Sequence, residues 1–326
     1  MADAGTDRSP TEAMLNPAQQ QVLDLLGAGR EDRPTFDAAL RTELRVELED
    51  ALEPLVEHLG RDNLFLNKHG LMQVHGCEGR YLAEEAEPFA WSPPIARGVV
   101  AHKAIELAVG WRGEPVPLEL VDEAVARLSQ GMDGVADFLQ TASEADLAEL
   151  RTLASDRVTT FLETFPPLKP AWRPVTESRV RVELHGGAVV LSGKIDLALG
   201  RADGTTAGKV LIDMKTGGSR AHHLDDLRFY ALLETIKLGT PPRLLATYYL
   251  DQGQPVVEVV TVDVLAAALR RTIAGAARVV ALTRRHEDPV LRPGPACRWC
   301  PAREGCVPGT TWIARDDDPD DPFEDR

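Results

Sequence analysis

No apolar run in the chain approaches the ~20 residues that a membrane-spanning helix needs, so no segment reads as a transmembrane anchor. Several common catalytic motifs are missing too. Gly193-Lys194 is not a phosphate-binding loop, because Ala188 stands five residues before Gly193 and Ile195 takes the place of the required Ser or Thr, which excludes a P-loop ATPase. A Gly-x-Ser-x-Gly elbow and a His-Glu-x-x-His zinc site are also absent. Positive charge is scarce: 36 Lys and Arg face 51 Asp and Glu, a net −15, which leaves no molecule-wide footprint for a polyanion. Lysine is the rarer cation, with seven residues in all. There are only four cysteines, and the opening Met-Ala-Asp-Ala-Gly-Thr-Asp starts no secretory signal. A reducing cytoplasm is therefore the expected compartment, and disulfides are not expected.

What is present suits one elaborated domain of 326 residues with 44% hydrophobic content. Helical spacing runs from Pro17 to Leu26, from Phe36 to Leu59, and through a block from Leu118 to Phe165 in which Ser143 to Asp146 reads as a helix start. The prolines between Phe165 and Pro174 end that block. Strand patterns follow over 175–184, 188–199 and 209–214, then a helix carrying Tyr230. Next come a hairpin of 243–250 and 255–262 around Asp251-Gln-Gly-Gln254, and a helix over 264–285. The order predicts an α/β fold with a mixed central sheet flanked by helices. Residues 1–15 and the acidic segment 311–326 read as disordered, leaving a folded domain over 16–310 with a helical insertion at about 112–165 and a cysteine loop at 297–306.

Two constellations carry chemistry. The first is Gly193-Lys-Ile-Asp196 followed by Leu211-Ile-Asp213-Met-Lys215-Thr-Gly217. Side chains alternate along a strand, so Asp213 and Lys215 share a face while Leu211, Ile212 and Met214 supply packing. Neighbouring carboxylates suit Mg²⁺ or Mn²⁺, and the ammonium can orient water or stabilise charge on a phosphate. Lys194, Lys209 and Lys215 all fall in this window of a chain that otherwise prefers arginine, and the two cations do different work.

The second constellation is Cys77 with Cys297-Arg-Trp-Cys300-Pro-Ala-Arg-Glu-Gly-Cys306. Four thiolates can hold Zn²⁺ or an iron–sulfur cluster. A [4Fe-4S] cluster is favoured, since zinc ribbons bring ligands in two close pairs whereas Cys77 lies 220 residues before Cys297, and Pro301 follows a ligand cysteine as in ferredoxin-type runs. Zn²⁺ stays open, and so do unliganded structural cysteines.

Together these residues resemble the PD-(D/E)XK nucleases, in the RecB-like branch that carries a C-terminal iron–sulfur cluster and includes the AddB-type and CRISPR-adaptation nucleases. The resemblance runs from about Cys77 to Cys306. Gly98, His102 and Glu106 match the helix motif Gly-x-x-x-His-x-x-x-Glu; Asp196, Asp213 and Lys215 match the catalytic set; Asp226, Tyr230 and Ala231 match a helix in which the family has Gln where Asp226 stands. It implies a restriction-endonuclease-like core stapled by the cluster. Asp196, Asp213, the Met214 carbonyl and His102 would hold Mg²⁺ or Mn²⁺, with Lys215 positioning the attacking water and Glu106, Asp226 and Tyr230 supporting DNA or the site. By spacing alone His102 and Glu106 share a helix face and equally suit a surface pair.

The implied activity is metal-dependent DNA cleavage, as an exonuclease of repair, recombination or defence. Its partners would be DNA, single-stranded or with a free end, and a helicase or repair complex; no membrane is involved. Net acidity and Asp226 favour an alternative, a catalytically weak or inactive nucleic-acid-binding subunit. Arg173, Arg179, Arg181, Arg220, Arg228, Arg243, Arg270 and Arg271 would supply a basic stripe around the acidic site.

Overall fold

The structure, a computed structural model, describes residues 14–220 and 222–316. Its elements are α1 (Pro17–Leu26), α2 (Leu40–Val56), β1 (Leu64–Leu66), α3 (Lys68–Gly76), α4 (Glu78–Ala86), α5 (Pro93–Val109), α6 (Pro117–Ser129), α7 (Gly134–Thr141) and α8 (Glu144–Thr164). They continue with β2 (Val175–Leu184), β3 (Val189–Leu199), β4 (Val210–Lys215), α9 (His222–Leu238), β5 (Leu244–Tyr249), β6 (Gln254–Val259), α10 (Val262–Thr283) and α11 (Val307–Asp316). The α/β fold with a mixed, helix-flanked sheet is as expected. Local chemistry explains several starts: Asn16 and Gln19 form a reciprocal capping box on α1, and the Ser143 hydroxyl accepts the Asp146 N–H at 3.1 Å to open α8.

The helices form two layers. On one face of the sheet α2, α3, α9 and α10 bury Leu48, Leu52, Leu232 and Leu269. On the other, α1, α5, α6 and α8 bury Val100, Ile105, Leu120 and Val158. Most of these side chains are fully excluded from water, which stabilises the fold by roughly 1.5–3 kcal/mol for each large aliphatic group.

Pairing on β3 opens a hole in the sheet. β2 runs antiparallel along one edge of β3, from Val189 to Ala198. The opposite edge is shared, β1 taking Val189 to Leu191 in parallel and β4 taking Leu197 to Leu199 antiparallel. Residues 192–196 therefore have no strand partner on that edge. β4, β5 and β6 complete the sheet, β4 and β5 parallel, and the β5–β6 hairpin turns where expected.

Two differences from the sequence reading stand out. β1, α3 and α4 lie in a stretch to which no element was assigned; a three-residue strand carries too little alternation to register. The expected tail boundary at 310 falls inside α11, so residues 311–316 are helical. That helix starts directly off Cys306, whose carbonyl accepts the Thr310 N–H at 2.9 Å, and the Arg298 guanidinium lies 6.0 Å from the Trp312 ring. Residues 1–13 and 317–326, also expected to be disordered, lie outside the described residues.

Candidate functional site

The gap on β3 becomes a cleft of about 580 Å³. Ile195 packs into the core beside α9 but Leu197 into the core beside α5, although two residues apart on a strand should share a face. The pleat breaks at Asp196. Glu177, which would face Asp196 across the ladder, sits at φ 53°, and the β2–β3 register skips that pair. A non-glycine residue there costs about 1–3 kcal/mol, and in return Asp196 and Glu177 both turn toward the cleft.

Asp196 ties β3 to β4 and α5. One of its oxygens accepts the Met214 N–H at 2.7 Å, and the other lies 3.5 Å from His102 Nδ1. His102, Glu177 and Asp196 each place a ligand atom within 4.8 Å of the others. In a strand, C=O and N–H of one residue point to the same side, so the Met214 carbonyl is directed at the same gap. Burial opposes the charge on His102, but Asp196 more than offsets it and raises the His102 pKa. Burial likewise opposes the Asp196 carboxylate, and the His102 cation more than offsets that, lowering its pKa. A metal that took the imidazole nitrogen would displace this proton.

Asp213 approaches from the α9 side and is fully buried. Lys68 Nζ donates to its Oδ1 at 2.7 Å, and Lys215 Nζ lies 2.8 Å from its Oδ2. That second contact lacks hydrogen-bond geometry, leaving Oδ2 a buried acceptor without a donor. Lys215 instead donates to Asp226 Oδ2 at 3.0 Å. The charge that Asp226 adds at the family's Gln position is thus taken up by Lys215, with Lys68 4.0 Å away. Lys68 also sits 5.2 Å from the centre of the buried Tyr230 ring. Burial works against the Lys68 charge, yet Asp213 and the other carboxylates outweigh it and raise the pKa. Tyr230 is pushed up to about 12, mainly by burial, and stays a phenol.

The structure brings Asp196, Asp213, Lys215, His102, Met214 and Tyr230 to one cleft, with Asp226 behind Lys215. Glu106 lines it too but pairs with Lys103 at 2.8 Å, so the His102–Glu106 pair that helical spacing allows does not form. Lys68 and Glu177 were missed. Lys68 opens α3 one residue after β1, and because β1 borders the gap, the side chain arrives there; its rarity was the available signal. Lys209 leaves the set, paired with Glu234 at 2.5 Å. Among the described residues no arginine lines the cleft: lysines 68, 103, 194 and 215 do, while Arg228 pairs with Glu258 and Asp225, Arg271 with Asp225 and Arg181 with Glu183.

At the far end of the chain the four cysteines line one cavity of about 570 Å³. Cys77 sits between α3 and α4, and its thiol accepts the Arg292 N–H at 3.5 Å, while Cys297 accepts from Gly294 at 3.4 Å. All four are free thiols. A Cβ on Gly309 would come within 3.2 Å of Cys306 Sγ and 3.4 Å of Cys297 Sγ, so the helix start is cut close to the sulfurs. Beside Cys77, Glu78 accepts both arms of Arg278 at 2.8 and 2.7 Å and the Val290 N–H at 2.8 Å, which locks α4 to α10 and to the segment leading into the cysteine loop.

A family model for the PD-(D/E)XK nuclease superfamily matches residues 69–307. The chain belongs to that superfamily. PD-(D/E)XK nucleases use divalent metals and act on nucleic acid, in keeping with the acidic cluster of the cleft. Among solved structures, the chain is similar to a protein from Eubacterium rectale described as a "Putative exonuclease", with 12% identity over 72% of this chain and 87% of that one and a TM-score of 0.43. It is also similar to SSO0001, with 15% identity over 82% and 96% of the two chains and a TM-score of 0.33. No curated protein matches it. Among the described residues of this PD-(D/E)XK chain, no helix is long and apolar enough to cross a membrane.

Proposed function

We propose that the chain is a metal-dependent deoxyribonuclease of the RecB-like branch, an exonuclease that acts on single-stranded DNA or free ends in repair, recombination or defence. One observation carries the proposal: Asp196 and Asp213, coming from opposite faces of the sheet, both line the cleft where β3 has lost its strand partner, with His102 on one and two lysines on the other. The donor set fits Mg²⁺ or Mn²⁺. Hard carboxylate oxygens predominate, and the buried Asp213 Oδ2 lacks a hydrogen-bond donor. Asp196, Asp213, the Met214 carbonyl and His102 would hold the ion, with Glu177 within reach. When bound, it would stabilise charge on the scissile phosphate and acidify a water.

The chain's own groups do the rest. Lys215, held from behind by Asp226, orients the attacking water, and its ammonium faces the charge that builds on the phosphate. Lys68 adds a second cation on the other side of Asp213. Lys103 and Lys194 at the rim provide positive charge for the DNA backbone that the molecule as a whole lacks.

The cysteine cavity supports a [4Fe-4S] cluster over zinc. Four thiolates around Zn²⁺ would converge to about 2.3 Å from a single point, which needs no cavity of 570 Å³.

The test is anaerobic purification followed by Mn²⁺-dependent cleavage of single-stranded and duplex DNA. Asp213→Asn and Lys215→Ala should each reduce cleavage at least ~100-fold while the chain stays folded. Wild-type rates in Lys215→Ala would refute the assignment, and DNA binding without cleavage by the native chain would leave the binding-subunit alternative.

A further inference from the structure

A second cavity, of about 380 Å³, lies where β3 ends and β4 begins. Val210 lines it, three residues before Asp213 and hence about 10 Å back along β4. Four of its lining residues are arginines, Arg33, Arg173, Arg201 and Arg243, and none is acidic. In a chain of net charge −15 this is an unusual place to find uncompensated cations. None of the four pairs with a carboxylate among the described residues, although Arg30 nearby pairs with Asp203. Arg243 donates to the Leu26 carbonyl at the end of α1, but its Nε and that of Arg33 are buried without a partner among the described residues. Burial, and then the neighbouring Arg33 charge, depress the Arg243 pKa.

The backbone presents these groups on purpose-built geometry. The turn Pro170–Trp172 is latched to the end of β3 by the Gly200 N–H, which donates to the Trp172 carbonyl at 2.6 Å. Arg173 follows in the left-handed region at φ 50°, a conformation that costs about 1–3 kcal/mol for a side chain of this kind, and so takes its place at the cavity wall. Trp172, Leu26 and Phe165 make the rest of the lining apolar and aromatic. Guanidinium forks match phosphate oxygens, and an aromatic wall accepts a stacked base. The volume is within the range of small-ligand sites.

We propose that this pocket binds the phosphate of a nucleotide, with the base against Trp172. The ligand is either a free nucleoside monophosphate or the phosphorylated end of a strand; the chemistry is the same. The site stands apart from the cleft, and the proposal holds whether or not the cleft cuts DNA.

The test is calorimetric titration of the full chain in EDTA with dAMP, with inorganic phosphate, and with short oligonucleotides bearing a 5′-phosphate or a 5′-hydroxyl. One dAMP should bind per chain, and phosphate should compete with it. Arg173 and Arg201 are exposed, so the double variant Arg173→Glu/Arg201→Glu should fold, with an unchanged melting curve, and bind dAMP at least tenfold more weakly. Trp172→Ala should weaken dAMP but not phosphate. Displacement of dAMP by the phosphorylated oligonucleotide alone identifies a strand end, and no displacement by either identifies the free nucleotide. As a second readout, phosphate should raise the melting temperature of the native chain and not that of Arg33→Met. Absence of saturable binding of both dAMP and phosphate, or equal affinity in the double glutamate variant, would overturn the site.

Discussion

Lys68 and Lys215 grip opposite oxygens of one buried carboxylate, and the two are not equivalent. Lys215 has a second anchor in Asp226 at 3.0 Å, whereas Lys68 rests against the Tyr230 ring. Lys68→Met should therefore leave Asp213 with one cation and lower kcat/KM on single-stranded DNA by about 10–100-fold, with the protein still folded. An unchanged kcat/KM would show that Lys68 only neutralises Asp213. His223 is a separate residue-scale case. Burial, reinforced by the Lys215 charge, holds its pKa down to about 4 from 6.5, and its Nδ1 lies 3.1 Å from the Tyr249 hydroxyl. The folded chain keeps His223 neutral while the unfolded chain protonates it, so its stabilising contribution is whole above pH 6.5 and is lost as pH falls toward 4. Denaturation midpoints measured between pH 8 and 5 should fall more steeply for the native chain than for His223→Gln; parallel profiles would refute the assignment.

At the scale of elements, the cleft depends on β3 being incompletely paired and on what fills the space beside it. Tyr230 of α9 lies against Gly193, where a Cβ would come 2.1 Å from the ring. The ring is buried and cannot swing away cheaply. Gly193→Ala should cost about 1–3 kcal/mol in denaturant titration and should also lower cleavage, because Lys68 is seated over that ring. Tyr230→Leu in the same chain should recover stability without recovering full activity. Stability equal to the native chain in Gly193→Ala would mean that α9 is free to shift. The strands β2 to β6 announce themselves by alternation or by short continuous apolar runs between turns. β1 does not, and with it went the sequence-level view of Lys68, since three residues followed by a polar helix start give no periodicity to read.

Across the whole molecule, the cysteine cavity joins the α3–α4 junction to the C-terminal loop, and the Glu78–Arg278 fork beside it fixes the same two regions. A cluster there would close a loop that contains every residue of the cleft except Lys68. The proposed cluster predicts a brown native protein with about four irons per chain, and Cys77→Ser should then lose the colour and the iron and melt at lower temperature, with cleavage impaired indirectly. Full iron content in Cys77→Ser would remove Cys77 from the ligand set, and stoichiometric zinc after anaerobic preparation would change the metal while keeping the topology.

By itself the sequence determined the α/β class and the order of strands β2 to β6, the Asp213-x-Lys215 pair and the close spacing of Cys297, Cys300 and Cys306, because each is written in periodicity or in spacing over a few residues. Tertiary structure alone decided the rest. Asp196 and Asp213 line one cleft because β1 and β4 share one edge of β3, and Glu177 comes beside Asp196 through its positive φ in β2. His102 chooses Asp196 over Glu106, and Arg173 and Arg243 gather with Arg33 and Arg201 away from the cleft. These are contacts between segments tens of residues apart, set by strand pairing and by how helices cover the sheet, and no local pattern encodes them.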